Sequence, residues 1–327
     1  MKAVLCRDLG GIDALTVSEI EPPVVRPGAV IVRVKAAALN FFDTLIVAGK
    51  YQFKPDLPFS PGGEIAGIVE QIGEGVTRFQ PGDRVVAYLK WGGCREQVIV
   101  EESDLVPMPD ALPFDIAAGV SITYGTAMHA FFRRAHLQRG ETVAILGASG
   151  GAGLAALEIA RQIGARVIAC ASSSKKLELA RQFGADETID YTTDNLKMRL
   201  KELTGGRGVD VVYDPVGGDL AEQALRATTW RGRFLTVGYA SGTIPKIPLN
   251  LALLKGCDIL GVFWGDALVR EPDDNIADIE KALLWVADGS LKPLIHARYP
   301  LQQTATALRG IANRRAIGKI IIQMNET

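Results

Sequence analysis

A run of small residues at positions 147–153, Gly-Ala-Ser-Gly-Gly-Ala-Gly, has the composition of a loop that binds phosphate groups. An apolar run at 143–146 leads into this loop, and a helical repeat of apolar residues begins at Leu154. A second β-rich run follows the helix at 166–170. Strand, glycine loop, helix and strand within about 30 residues are typical of a unit that holds the pyrophosphate of a dinucleotide at its helix N-terminus.

The glycines of this loop have separate tasks. Gly147 allows the tight turn out of the strand, and Gly153 lets the helix pack close to the sheet. The glycines between them let the backbone approach a pyrophosphate. The residues that we expect to contact the cofactor here are Ser149, Gly150, Gly151 and Ala152.

The same loop also fits a G-x-S-x-G nucleophile elbow, in which Ser149 would be the nucleophile of a serine hydrolase. Asp258 or Asp266, followed by His296, completes the order serine, acid, histidine along the chain. A hydrolase elbow needs neither the third glycine, Gly153, nor the phosphate-binding residues that follow the second strand. We therefore favour the dinucleotide site and keep the hydrolase as the alternative.

The residues after the second strand indicate which dinucleotide is bound. An Asp or Glu there would accept the ribose 2′-OH of NAD and repel a 2′-phosphate. The chain instead has Ser172, Ser173 and Ser174 followed by Lys175 and Lys176, whose hydroxyl and ammonium groups suit a phosphate. In the alternative interpretation the serines cap the next helix and the lysines lie on its solvated face. We favour NADP(H) as the cofactor.

Composition excludes several classes of function. A formal net charge of −1 over 327 residues, with 48% hydrophobic residues, describes a globular protein without a basic field for nucleic acid or an anionic membrane. We find no long uncharged apolar run, and Lys2, Arg7 and Asp8 place charge too early for a secretory signal. The four cysteines and three histidines are scattered, without a C-x-x-C pair. We therefore expect reduced thiols, a cytoplasmic location and no metal cluster.

The elements that must position these residues follow two patterns. The first hundred residues contain short β-rich runs separated by proline and glycine turns, which predict a small barrel or sandwich. These runs are at 29–36, 65–72, 84–88 and 96–100.

From residue 143 onward, strands alternate with helical segments. After the first two strands, the further strands are predicted at 188–190, 209–214, 233–238 and 258–263. Six such strands predict a doubly wound parallel sheet. A final apolar run, 318–323, is expected to be a strand that rejoins the N-terminal domain.

Several short motifs are distributed along the whole chain: Pro27-Gly28, Asn40-x-x-Asp43, Pro61-Gly62-Gly63-Glu64-x-Ala66-Gly67, Gly73-x-Gly75-Val76, Pro81-Gly82-Asp83-Arg84-Val85, the loop at 147–153, and Gly318-Lys319. Together they resemble the medium-chain dehydrogenase/reductase superfamily, and most of all its zinc-free quinone oxidoreductase (zeta-crystallin-like) branch. The resemblance implies an α/β fold with a Rossmann domain, residues 124–265. This domain is inserted in a GroES-like β-rich domain made of residues 1–123 and 266–327, with nicotinamide and substrate in a cleft between the two.

The differences from the zinc-dependent members of that superfamily imply the chemistry. Those relatives have a catalytic cysteine at the position of Asn40, a histidine at that of Gly63, and a cysteine-rich lobe where this chain runs straight through residues 91–96. Without such ligands we expect no zinc, so an alcohol cannot be polarised by a Lewis acid. What remains is hydride transfer to a quinone or to the β-carbon of an α,β-unsaturated carbonyl.

The resemblance also implies roles for individual residues. Asn40 is expected beside the nicotinamide, Thr123 at its ribose or carboxamide, and Tyr51 as a proton donor or oxyanion hydrogen-bond donor. The simpler alternatives are a turn residue, a helix cap and a surface aromatic, respectively. Asp43 is expected to hold the Asn40 loop. Further cofactor contacts are expected at the ends of later strands: Tyr191, Gly217, Gly238, Val262 and Phe263.

Three classes of function therefore stay open. The favoured one is an NADPH-dependent reductase of small-molecule quinones or enones, without a nucleic-acid or membrane partner. The others are a serine hydrolase built on Ser149 and a non-catalytic NADPH-binding protein, since zeta-crystallin-like relatives include structural and RNA-binding proteins. The apolar run 258–263 would be the last strand of its sheet, and such an edge predicts a homodimer.

Overall fold

The computed structural model describes residues 1–313 and 315–324. They form two compact units, one consisting of Met1–Ile122 with the described residues from Glu271 onward, the other of Thr123–Arg270. The sequence predicts the second boundary after residue 265, whereas the second unit continues to Arg270. Residues 264–270 form one helix, and its first residue, Trp264, packs so close to Gly125 that a Cβ on the glycine would be 2.6 Å from Trp264 Cζ2. The whole helix therefore belongs to the second unit.

The strands and helices have the following bounds. The strands are β1 (Lys2–Cys6), β2 (Leu15–Glu19), β3 (Ala29–Leu39), β4 (Glu64–Ile72), β5 (Arg84–Tyr88), β6 (Gln97–Glu101), β7 (Leu105–Pro107), β8 (Thr142–Leu146), β9 (Arg166–Ala171), β10 (Glu187–Asp190), β11 (Val209–Asp214), β12 (Thr228–Thr236), β13 (Asp258–Gly261), β14 (Ile295–Pro300) and β15 (Lys319–Gln323). The α-helices are α1 (Phe41–Val47), α2 (Phe114–Ala117), α3 (Ser121–Met128), α4 (Gly151–Ile163), α5 (Ser174–Gln182), α6 (Leu196–Leu203), α7 (Asp219–Arg226), α8 (Asn250–Lys255), α9 (Trp264–Arg270), α10 (Pro272–Ala287) and α11 (Thr304–Ala312). A π-helix, His129–Arg134, continues α3.

The first unit is organised around β3. This strand pairs antiparallel with β4, β6 and β15, in a seven-stranded sheet of order β14-β15-β3-β4-β5-β7 with β6 on β3. Val30, Val32 and Val34 alternate along β3 and all enter the core. Ala29 and Ile31 are buried as well and only Arg33 is exposed, so β3 is a central strand that is covered along most of its length. The prediction that the final strand rejoins the N-terminal domain is confirmed, because β15 pairs with both β3 and β14.

The second unit contains a six-stranded sheet of order β10-β9-β8-β11-β12-β13 in which every pair is parallel. The predicted doubly wound parallel sheet is thus confirmed. Strands β8 and β11 are buried along their whole length, as expected of central strands covered by helices on both faces. The strand order reverses between β8 and β11, and ligands of such sheets bind outside the carboxyl ends of the strands at that point.

The glycine loop follows β8 at this reversal. Gly147 has φ +61°, a left-handed conformation that glycine adopts without strain. Gly153 was expected to bring the helix close to the sheet. Its close contact is instead with the loop itself, because a Cβ there would lie 2.3 Å from Gly147 O and 2.7 Å from Ala148 Cα. The helix α4 therefore starts directly against the loop backbone, with Gly150 at its N-cap.

The cysteines are interior residues. Cys6, Cys94, Cys170 and Cys257 are all buried and free. Burial raises the pKa of the Cys94 and Cys170 thiols, which makes the reactive thiolate form scarce. Among the described residues, we find no helix with the length and apolar character needed to cross a bilayer.

Candidate active site and cofactor-binding loops

Asn40 lies between the end of β3 and the start of α1, in extended conformation with φ −128° and ψ 166°. Asp43, in the first turn of the helix, accepts a hydrogen bond from the Asn40 backbone N–H at 2.7 Å and another from Gly62 N–H at 2.9 Å. One buried carboxylate thus ties the loop before α1 to the turn before β4. This is the holding role that the sequence analysis expects of Asp43.

The Asn40 carboxamide is hydrogen-bonded at both ends. Its Oδ1 accepts from Lys319 Nζ at 2.6 Å, and its Nδ2 donates to Glu64 Oε1 at 3.0 Å. Lys319 Nζ also lies 2.6 Å from Glu64 Oε1, in an ion pair whose side chains are 5% and 0% exposed. The other Glu64 oxygen, Oε2, accepts from Ile122 N–H at 2.8 Å. Good geometry and additional hydrogen bonds are the conditions under which a buried ion pair is tolerated.

Sequence reasoning missed the site role of Glu64 and Lys319, which it quoted only as parts of motifs. The signal in the sequence is a charged residue at the start of each of two strands, β4 and β15, directly before a run of apolar residues and glycine. Lys and Glu are almost never fully buried unless they are paired. The strand register brings the two together, because β3 pairs Ala38 with Glu64 on one side and Leu39 with Ile320 on the other.

The charge of Asp43 changes near neutral pH. Burial raises the pKa of Asp43 to about 7, while the backbone N–H groups of Asn40 and Gly62 and the Lys319 ammonium act to lower it. The negative charge of Glu64 adds a small upward effect. Desolvation is the largest cause, so the interior position of the carboxyl decides its protonation.

Tyr51 lies in an aromatic cluster with Phe42 and Phe53. Its ring stacks on Phe42 with centroids 5.6 Å apart and meets Phe53 edge-on at 5.9 Å. Burial, with a smaller effect from Asp43, raises the pKa of the Tyr51 phenol. The phenol is therefore protonated at neutral pH, which a proton donor requires.

Gly63 has no room for a side chain. A Cβ there would lie 2.5 Å from Phe42 Cζ and 3.2 Å from Lys90 O, so the histidine of zinc-dependent relatives would displace Phe42. At Asn40, the amide oxygen already faces the Lys319 ammonium, which opposes a second cation. The residues at positions 40 and 63 therefore do not fit a zinc ion. Among the described residues no group of three or more His, Cys, Asp or Glu is arranged to hold a metal.

In the second unit, two loops meet at the reversal of strand order. A Cβ on Gly147 would lie 2.8 Å from Val216 Cγ2, which shows how closely the loops after β8 and β11 approach. Asp214 holds the second loop by accepting hydrogen bonds from Val216 N–H and Gly217 N–H, both at 2.8 Å. Helix α4 begins at Gly151, so its first N–H groups also lie at the carboxyl ends of the strands. The loop residues expected to contact the cofactor therefore lie where dinucleotides bind in such sheets.

Ser149 does not have the surroundings of a hydrolase nucleophile. It is 5% exposed, whereas an elbow presents its serine to solvent. Asp258 is the first residue of β13, so it lies at the amino ends of the parallel strands, whereas the loop after β8 lies at their carboxyl ends. Asp266 is hydrogen-bonded to Arg270 at 2.6 Å. His296 lies on β14 in the first unit.

Four of the expected cofactor residues lie together at the carboxyl ends of β9 and β10. Ser172 follows β9, and Lys176 Nζ donates to Ser172 Oγ at 3.0 Å. Ser173 occupies the N-cap of α5, yet within the described chain its side chain makes no capping hydrogen bond. Tyr191 follows β10, and its backbone N–H donates to Ala171 O at 3.2 Å. Ser173 thus stands at the N-cap position, as in the alternative interpretation, but its hydroxyl is not used to cap the described helix.

The remaining expected residues are at helix and strand ends. Thr123 is buried in the first turn of α3. Gly238 follows β12, and Val262 and Phe263 follow β13, which ends at Gly261 rather than at residue 263. Val262 is buried and its backbone N–H donates to Thr236 O at 3.0 Å, whereas Phe263 is exposed.

Two family descriptions match the chain. Residues 26–110 match an alcohol dehydrogenase GroES-like domain, and residues 151–286 match a zinc-binding dehydrogenase domain. The chain is 38% identical to a quinone oxidoreductase-like protein 2 homolog from Nematostella vectensis, over 99% of this chain and 89% of that protein.

Two solved structures extend the comparison. The quinone oxidoreductase of Pseudomonas syringae pv. tomato DC3000 matches with a TM-score of 0.90 and 32% identity, over 98% of this chain and 99% of that one. The Escherichia coli quinone oxidoreductase complexed with NADPH matches with a TM-score of 0.91 and 28% identity, over 99% of this chain and 100% of that one.

The raised pKa of Asp43 predicts that the protein loses stability as the pH rises toward neutral. Between pH 3.8 and about pH 7, Asp43 keeps its proton in the native state but has released it in the unfolded chain. The contribution of Asp43 is therefore complete below the unfolded pKa, and it falls by at most about 1.4 kcal/mol per pH unit until the pH has passed the folded pKa.

The measurement is urea unfolding of the wild type and of Asp43→Asn from about pH 5 to about pH 8. The amide opposes one of the two backbone N–H donors at every pH, which adds a constant cost. The difference between the two free energies of unfolding should shrink as the pH rises and then level off. Two parallel curves would show that Asp43 does not titrate in this range.

Proposed function

The chain belongs to the medium-chain dehydrogenase/reductase superfamily, in its quinone oxidoreductase-like branch, and we propose that it is a zinc-independent enzyme that reduces quinones or α,β-unsaturated carbonyls with NADPH. The predicted GroES-like domain and Rossmann-type sheet are confirmed. The protein is an oxidoreductase of the quinone oxidoreductase type, and its cofactor is a nicotinamide dinucleotide. The preference for NADPH, the acceptor and the independence from zinc are the proposal.

The observation that carries the proposal is the Asn40 carboxamide, held between Glu64 and Lys319 at the position where zinc-dependent relatives have a thiolate. A carboxamide beside an ammonium does not activate an alcohol as a zinc ion does. It is suited to donate a hydrogen bond to an oxygen that gains negative charge during the reaction. An acceptor that is already electrophilic, such as a quinone or an enone, needs no more than this.

In the proposed complex the nicotinamide ring supplies the hydride, and the chain's own residues bind and orient it. The loop at 147–153 and the start of α4 would hold the pyrophosphate, and Ser172, Ser173 and Lys176 would hold the 2′-phosphate. Thr123 and Val262 belong to the same proposed site. We keep the cytoplasm as the proposed location, because all four cysteines are free thiols.

A screen of acceptors tests this function. Purified protein is given NADPH with quinones, enones, enals and enoyl thioesters, and NADPH oxidation is followed. We expect turnover with at least one class, no stoichiometric zinc by elemental analysis, and no loss of rate with a chelator. NADPH binding without turnover of any acceptor would favour the non-catalytic class instead.

The first prediction from this proposal concerns cofactor choice. Lys176→Ala should raise the KM for NADPH about tenfold, corresponding to about 1–2 kcal/mol of charge-assisted binding, because the 2′-phosphate loses its ammonium partner. The KM for NADH should hardly change. Lys175→Ala is the matched control, since Lys175 is exposed at the start of the same helix. Equal use of NADPH and NADH by the wild type would contradict the prediction.

The second prediction concerns the proton. Tyr51→Phe should lower enone turnover by about 10²-fold, because the phenol no longer protonates or hydrogen-bonds the developing enolate. Quinone reduction should fall much less, since a hydroquinonate is a stable anion and takes its protons from water. The phenyl ring preserves the stacking on Phe42. Equal losses for both acceptors would indicate misplaced substrate, and unchanged rates would remove Tyr51 from the mechanism.

The third prediction concerns assembly. β13 is the last strand of its sheet in the described part of the chain, and its outer edge invites pairing with a second copy. Exposed apolar side chains lie on β13, on the neighbouring strand β12 and on or next to α8, the helix that precedes β13: Trp230, Leu249, Leu253, Leu254 and Ile259. We therefore propose a homodimer of the 35.1 kDa chain.

Light scattering of the wild type at micromolar concentration should give the mass of a dimer. Leu253→Glu should shift it toward the monomer, because Leu253 is 79% exposed on α8, the helix before β13, and the variant would bury a charge in the proposed interface. Val24→Glu is the control, since Val24 is similarly exposed in the first unit. A monomeric wild type, or equal effects of both changes, would refute the interface.

A further inference from the structure

Asn40 can satisfy its two neighbours in only one orientation. An ammonium can only donate hydrogen bonds, so the Asn40 atom that lies 2.6 Å from Lys319 Nζ must be Oδ1. A carboxylate can only accept, so the Asn40 atom 3.0 Å from Glu64 Oε1 must be Nδ2. The two ends of an asparagine carboxamide have nearly the same shape but opposite hydrogen-bonding character. Here the chemistry of the neighbours decides between them.

Neither neighbour is free to turn away. Glu64 Oε2 is held by Ile122 N–H at 2.8 Å, which fixes the plane of the carboxylate. The Lys319 stem packs on Gly119, where a Cβ would lie 3.3 Å from Lys319 Cγ, and its ammonium also reaches Leu39 O at 3.4 Å. A functional group held by locked neighbours keeps its geometry within the narrow limits that catalysis needs.

The remaining hydrogen-bonding capacity of Asn40 follows from this orientation. A primary carboxamide has two N–H donors, which diverge in the amide plane, and one of them is used by Glu64. The second N–H is directed away from the carboxylate. Asn40 is half-buried, so this N–H is the group that it can offer to a ligand.

We propose that Lys319 is a positioning residue, which with Glu64 holds the Asn40 carboxamide so that it presents an N–H donor, and not its oxygen, to the reacting oxygen of the acceptor. This inference rests on the proposed function of Asn40. It assigns a specificity as well, because a donor recognises acceptors whose carbonyl oxygen becomes negative during reduction. A purely structural ion pair would stabilise the fold without regard to the orientation of Asn40.

The central variant is Lys319→Met combined with Glu64→Gln. It removes both charges together, so no unpaired charge is left in the interior. The amide oxygen of the introduced glutamine can still accept from Ile122 N–H, and its NH2 group then faces Asn40. A donor at that place favours the reversed carboxamide. The variant therefore changes the orientation of Asn40 while it preserves a hydrogen-bonded interior.

The first test observes the orientation without any turnover. In protein labelled with 15N-asparagine, the Asn40 carboxamide signal is identified by its loss in Asn40→Ala. We expect the wild-type Asn40 protons to exchange slowly with water, and at least about tenfold faster in the double variant, because the hydrogen bond to the carboxylate is lost. Fast exchange in the wild type, or unchanged exchange in the double variant, would overturn the proposal.

The second test is a double-mutant cycle on activity. The double variant should lower kcat about tenfold with the KM for NADPH within about twofold, because only a transition-state contact is misdirected. In an Asn40→Ala background the same two changes should cause no further loss of kcat. Additive losses would show that Lys319 does not act through Asn40.

Lys319→Arg is the conservative variant. It keeps donors for both Asn40 and Glu64, so it should retain at least about a third of kcat and slow exchange of the Asn40 protons. It also keeps the test decisive if the double variant does not fold. A wild type without reductase activity would refute the proposed function alone, because the exchange measurement would still decide the orientation of Asn40.

Discussion

The buried ion pair between Lys319 and Glu64 is the interaction on which the first unit depends. Its two residues are separated by 255 positions in the chain and meet only when β15 and β4 are both paired with β3. Removing one partner of such a pair leaves an uncompensated charge in the interior, at a cost of about 3–5 kcal/mol. The Asn40 loop follows directly from β3, so the same pair fixes the site and closes the sheet.

The second unit depends on a different constraint, the close approach of backbone to backbone. Gly153 lies so near Gly147 O that a side chain at this position would collide with the loop. In the loop after β11, the Asp214 carboxyl group fixes the backbone by accepting hydrogen bonds from two N–H groups. The Val216 side chain can then pack directly on Gly147 at the reversal of strand order. A dinucleotide pyrophosphate needs such a close approach, because backbone N–H groups at a helix N-terminus bind it.

Long apolar runs made most of the fold predictable, because a buried strand must be apolar along its length or on alternate residues. The sequence did not predict β2, β7 and β14, because these strands are short or largely exposed. It did not predict β1 because a strand of five residues is too short to show a clear pattern. The site was predictable only where a motif names a residue, as at Asn40. The contact of Asn40 with Lys319 is set by the register of β15 on β3, which no local pattern encodes.

The charge balance around Asn40 limits the chemistry that this unit can support. When Asp43 is protonated, the charges of Glu64 and Lys319 cancel, and the surroundings of the carboxamide are neutral. When Asp43 is ionised, these surroundings carry one excess negative charge. An excess negative charge opposes a developing oxyanion, so the burial that raises the pKa of Asp43 acts in the same direction as the N–H donor of Asn40. One neutral donor nevertheless supplies much less stabilisation than a divalent cation. The acceptor itself must then carry the rest of the charge, as the conjugated system of a quinone or enone does.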